Sequence, residues 1–114
     1  MFLPRQKYEF DITLDKVDIG LAEEITKLEP FGEGNPVPLF MTSGLKLRNL
    51  RRIGNDGAHL KAIAQADMNA CEAVAYCMGS EFDELLAMDR CMVVHTPIVN
   101  SWRGSKVLQL RLKA

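Results

Sequence analysis

The side chains with the most chemical content are basic. Lys46, Arg48, Arg51 and Arg52 fall within seven residues, Lys61 follows, and Arg103 and Lys106 flank a glycine beside Trp102. Clustered cations neutralise phosphates, and flat side chains among them stack on bases. Those two contacts together hold single-stranded nucleic acid. The flat side chains at hand are His59, Trp102 and Tyr76, the last read chiefly as a packing residue. The net charge of −1 conceals this pattern. Residues 1–40 carry four basic and eight acidic groups, residues 41–66 five and one, residues 67–90 one and six, and residues 91–114 four and none. If the two basic blocks become neighbours, a near-neutral chain presents a positive face.

Other chemistries find less support. Metal-assisted hydrolysis or phosphoryl transfer needs several carboxylates or histidines in one place. The acidic pairs Glu23-Glu24 and Asp83-Glu84 read as solvated helix surface. His59 and His95 are far apart and lack a carboxylate at ligand spacing, so no metal site is expected. G-x-S-x-G, H-E-x-x-H, P-loop and C-x-x-C patterns are all missing. Cys71, Cys77 and Cys91 each sit in an apolar run and read as reduced, packed thiols of a cytoplasmic protein. With 114 residues, 47% hydrophobic and 25% charged, the chain suits one soluble domain. Its apolar runs are too short for a membrane-spanning helix, and no secretory signal follows Met1, so no membrane partner is expected.

The elements that must position the cations follow from periodicity. Residues 10–14 alternate as a short extended segment, and Asp15 or Asp18 caps a helix running to Leu28, with Leu21, Ile25 and Leu28 on one face. Pro30 stops it. Three prolines and two glycines between Pro30 and Pro38 form a rigid joint anchored by Phe31. Because that joint leads into a strand and not a helix, it reads as structural and not as a phosphate cradle. A long first strand covers residues 39–53. Leu45, Leu47 and Asn49 point one way and Lys46, Arg48 and Leu50 the other, with a kink at Ser43-Gly44. Asn55-Asp56-Gly57 turns it into a second strand over residues 58–65, and Asp67-Met68-Asn69 turns that into a third over residues 71–77. Ser80 caps a short helix. Strands over residues 90–102, with Pro97 at an edge or bulge, and 107–113 complete the chain. The expectation is a mainly β protein, an OB-fold five-stranded antiparallel barrel with one short helix between its third and fourth strands. Residues 37–114 form the barrel and residues 1–36 an N-terminal helical extension.

Three segments carry a resemblance. Leu28-Glu29-Pro30-Phe31-Gly32-Glu33-Gly34-Asn35-Pro36-Val37-Pro38-Leu39-Phe40 resembles the segment that opens the C-terminal OB domain of RecJ-type single-stranded-DNA-specific exonucleases. Gly57-Ala58-His59-Leu60-Lys61 resembles that domain's second strand. Asn100-Ser101-Trp102-Arg103-Gly104 with Leu108-Gln109-Leu110 resembles its last hairpin. The resemblance implies a family that degrades single-stranded DNA 5′ to 3′ with manganese or magnesium, in recombination and repair. The family's Asp-His-His catalytic motif is not among these residues. The chain is then expected to be non-catalytic and to need no cofactor of its own. Its expected partners are single-stranded DNA, the catalytic domains of the same polypeptide, and a single-strand-binding protein. Lys46, Arg48, Arg51, Arg52, His59, Lys61, Trp102, Arg103 and Lys106 are the expected DNA contacts, from charge and shape alone. The rival expectation is a protein-interaction domain that closes the exonuclease clamp without touching DNA. The acidic N-terminal block and the apolar Phe2-Leu3 end motivate it.

Overall fold

A computed structural model describes residues 10–32 and 34–113, the side chain of Trp102 excepted. Its strands are β1 (Phe10–Asp11), β2 (Phe40–Ile53), β3 (His59–Ala66), β4 (Asn69–Ala75), β5 (Cys91–Trp102) and β6 (Ser105–Leu112). Helix α1 covers Ile19–Thr26 and α2 covers Phe82–Leu86. The sheet runs β1-β2-β3-β4-β6-β5, and β5 pairs back onto β2. That last pairing closes a five-stranded barrel with a short helix between its third and fourth strands, the OB-fold order. One strand can join both ends of the sheet because β2 is long and changes direction. Its first half pairs with β5, its second half with β3, and the register shifts between Thr42 and Leu45, where Gly44 has φ of +70°.

The core is aliphatic and small: Leu45, Leu60, Ala64, Ala73, Ala75, Val93, Leu110 and Leu112 meet inside the barrel. Alanines on β3 and β4 let the sheet curve tightly around the larger leucines. Leu85 of α2 joins this core from one side and Leu14 and Val17 from the segment before α1. Pro97 lies where β5 has passed its pairing with β2, so the missing N–H falls in a stretch whose strand neighbour is β6. Asp18 does cap α1, accepting the Leu21 N–H at 2.8 Å, while Asp15 sits inside a 3-10 turn. The Pro/Gly joint is fastened by Asn35, whose side chain donates to the carbonyls of Leu28 and Pro30 at 2.7 and 2.9 Å. The Gly32 and Asn35 amides bond each other's carbonyls.

Three local expectations change. Ser80 lies within a 3-10 turn (Gly79–Glu81) and makes no cap; α2 begins two residues later with Glu81 at its N-cap. Cys77 does not pack inward: β4 ends at Ala75, and Cys77, with φ of +61°, is exposed. Cys91 is buried and Cys71 half-buried, and burial pushes both thiols up to about 11, far from a reactive thiolate. The third change is in β2. Asn49 adopts φ of +55° at a second register shift, between Arg48 and Arg51, and breaks strict alternation. Leu50 therefore packs against the core and does not share a face with Lys46 and Arg48.

Candidate nucleic-acid interface

The Asn49 bulge decides which cations face outward. Paired residues on neighbouring strands share a sheet face. Lys46 pairs with Gln65, Arg48 with Ile63 and, after the bulge, Arg51 with Lys61. Arg51 thus rejoins the face of Lys46 and Arg48, while Arg52 pairs with Leu60 on the barrel side. Without the bulge the two arginines would exchange faces. Ladder pairings carry the row across the sheet: Lys61 opposes Val74, Val74 opposes Arg111, and Arg111 opposes Thr96, with Val74 and Thr96 buried. The next row is Arg48, Ile63, Glu72, Gln109 and Ile98.

Among the described residues, Lys46, Arg48 and Arg51 have no carboxylate at ion-pair distance. Arg48 donates to the Gln65 amide oxygen at 2.9 Å, and Arg51 to the backbone carbonyl of Asn49 at 3.1 Å. Both guanidiniums keep further donors for a ligand. Lys61 differs: its ammonium lies 2.8 Å from the Glu72 carboxylate. The Gln109 amide donates to the same Glu72 oxygen at 3.1 Å. The hydrogen bond from Lys61 is the main reason Glu72 is held below the usual carboxylate range. Gln109 and the charges of Lys61 and Arg51 add to it, and burial opposes. Glu72 is therefore an anion set among cations, in the same row as Arg48.

Arg52 is occupied elsewhere. Its Nε donates to the Gly79 carbonyl at 3.3 Å and its guanidinium lies 4.6 Å from the centre of the Phe82 ring. It pins the turn before α2 onto the β2–β3 connection. Gly79 itself fits because it has no side chain: a Cβ there would meet the Gly57 carbonyl oxygen at 2.2 Å. His59 accepts the Cys77 N–H on Nδ1 at 2.9 Å and meets Tyr76 edge-to-face at 5.3 Å. Tyr76 also carries the Arg111 guanidinium at 5.1 Å. An exposed aromatic fixed by an imidazole and an arginine makes a positioned flat surface.

The second predicted block separates from the first. Arg103 belongs to the β5–β6 turn and Lys106 to the start of β6, from which it reaches α1, where its ammonium lies 2.7 Å from Glu23. The Trp102 side chain lies outside the described residues. What sequence reasoning left out of the site is Arg111. Nothing local showed that the parallel pairing of β4 and β6 would set it in the row of Arg51 and Lys61. The interior holds the other histidine: His95 is fully buried, its Nε2 lies 2.8 Å from the Thr42 hydroxyl, and burial pushes its pKa down to about 4.

Known proteins resemble this chain in both sequence and fold. A family described as the RecJ OB domain matches residues 8–114. The single-stranded-DNA-specific exonuclease RecJ of Bacillus subtilis is 24% identical over 112 residues, 98% of this chain and 14% of that protein. Thermus thermophilus RecJ, solved with Mn2+, matches 83% of this chain and 14% of its own length at 27% identity and a TM-score of 0.59. An aspartyl-tRNA synthetase from Leishmania major, 10% identical with a TM-score of 0.52, shares the fold alone. The chain thus spans about one-seventh of the length of its RecJ relatives. Among the described residues no three His, Cys, Asp or Glu side chains gather to hold a metal.

Proposed function

We propose, from the premise that this chain belongs to the RecJ OB domain family, that it grips single-stranded DNA for a 5′-to-3′ exonuclease acting in recombination and repair. The observation that carries the proposal is the sheet face on which Lys46, Arg48 and Arg51 meet no carboxylate among the described residues and align with Lys61 and Arg111. OB folds bind oligonucleotides on the face of their second and third strands, here β3 and β4, with the flanking loops. Cations would neutralise phosphates while Tyr76 and His59 offer flat surfaces to bases, giving weak, sequence-tolerant and salt-sensitive binding. The catalytic part of the same polypeptide and a single-strand-binding protein are the proposed protein partners.

The test is fluorescence anisotropy of labelled oligo(dT) against salt. Replacing Lys46, Arg48 and Arg51 together by Glu should flatten the log K against log salt slope by about 2, since each phosphate contact to a single strand contributes about 0.7. An unchanged slope moves the site elsewhere. A second reading, clamp closure by protein contact, draws on Lys61 and Lys106 being committed to Glu72 and Glu23 and on Leu86 being 59% exposed. No anisotropy change at low salt and high protein concentration would favour it.

A further inference from the structure

One row of the sheet face changes character from strand to strand. Arg48 on β2, Ile63 on β3 and Glu72 on β4 oppose one another in turn, so their side chains share a face. Arg48 is exposed and, among the described residues, has no carboxylate at ion-pair distance. Ile63 is an apolar side chain left 38% accessible. Glu72 is an anion whose side chain is 30% accessible. The flanking rows lack this series: Lys46 leads to Gln65 and Ala70, and Arg51 to Lys61 and Val74. A nucleotide carries the complementary groups in the same order. Its phosphate is anionic, its ring is flat, and the far edge of cytosine or adenine bears an amino group that donates. Two strand spacings, roughly 10 Å, separate the ends of the row, comparable to the reach of a nucleotide from phosphate to base edge.

Glu72 is also a fixed acceptor. Lys61 and Gln109 both hold its Oε1, at 2.8 and 3.1 Å, and Oε2 takes part in neither contact. The Lys61 hydrogen bond chiefly holds the carboxyl below its usual range, so at neutral pH it is ionised and accepts without donating. A phosphate is repelled there and attracted at Arg48. The backbone of a bound strand therefore turns towards β2 and its bases towards β4.

Resting on the single-strand reading above, we infer that this row seats one nucleotide across the sheet, phosphate at Arg48 and ring on Ile63, and that Glu72 selects a base with an exocyclic amino group, cytosine being the simplest. The amino group would donate to Glu72 Oε2. Thymine and uracil present a carbonyl at the same ring position, which a carboxylate repels and cannot bond. The outcome is a modest base preference at one position of an otherwise sequence-tolerant strand.

The experiment measures anisotropy of short oligo(dC) and oligo(dU) of equal length, above neutral pH, with the full 114-residue chain. The two strands differ only in the amino group or carbonyl that would meet Glu72. Wild-type protein should bind oligo(dC) about 5-fold more tightly, what one net hydrogen bond contributes. A wild-type ratio at or below one overturns the inference. Glu72→Gln, whose amide both donates and accepts, should raise affinity for oligo(dU) and bring the two strands within about 2-fold. An anion that merely repels the polymer gives another pattern, an equal gain for both strands, and that result also overturns the inference. Arg48→Gln, at the phosphate end, should weaken both strands alike and keep the ratio; a ratio lost there overturns the order of the row. If neither strand binds wild-type protein at low salt, the single-strand reading itself fails, a result separable from failure of base selection alone.

Discussion

Two cationic regions of this molecule carry similar sequence signals and have different fates. On β2, Lys46, Arg48 and Arg51 stand on an open sheet face, held only by neutral acceptors or by none among the described residues. At the start of β6, Lys106 is drawn onto Glu23 of α1, 83 residues away in sequence. The same contrast occurs between adjacent residues. Arg51 faces outward with Lys61, whereas Arg52 binds the Gly79 carbonyl and the Phe82 ring. A basic cluster in a sequence thus contains cations that hold the fold together and cations left over for a ligand. Only the residues each one meets after folding tell them apart.

The largest effect should come from breaking the seat on which Arg52 acts. Gly79→Ala sets a methyl against backbone atoms of Gly57 and Ala58, which have no rotamer to change. Overpacking of this kind costs about 3 kcal/mol or more, and the thermal unfolding midpoint should fall sharply. Next in size is acid. His95 titrates near 6.5 when unfolded and about 4 when folded, so the unfolded chain binds the extra proton between those values. Stability is full above pH 6.5 and falls as pH drops towards 4, by roughly 3 kcal/mol in all. Urea midpoints across that range check it, and His95→Gln should flatten the dependence. A face that loses DNA affinity with the same pH profile would contradict the division between interior and surface.

The paired arginines sharpen the comparison further. Arg52→Glu should destabilise by about 1 kcal/mol, through a charged hydrogen bond and a ring contact that are partly exposed. Arg51→Glu should leave stability within about 0.5 kcal/mol while lowering the salt slope of DNA binding by about 0.7. Chemical denaturation and anisotropy on both variants would show opposite patterns; identical patterns would erase the distinction. The smallest effects concern the two ion pairs, Lys61 with Glu72 and Lys106 with Glu23. Glu72→Gln removes an anion from the outward face and should raise affinity for oligo(dT) about 3-fold. Lys106→Ala, at an exposed ion pair, should change stability by no more than about 0.5 kcal/mol and affinity not at all. A loss of affinity in Lys106→Ala would return the start of β6 to the interface.

The sequence by itself determined the order of elements. Alternation along residues 39–53, 58–65 and 107–113, the Asn-Asp-Gly turn and the Asp18 cap are local signals, and local backbone preferences realised them. It also located the basic segment of β2. Tertiary structure decided which of those cations a ligand could reach. A bulge of one extra residue at Asn49 exchanged the faces of Arg51 and Arg52, the parallel pairing of β4 with β6 brought in Arg111, and α1 claimed Lys106. Periodicity is a property of neighbours along the chain, whereas charge pairing, burial and close approach such as Gly79 on Gly57 depend on segments that meet only when the barrel closes.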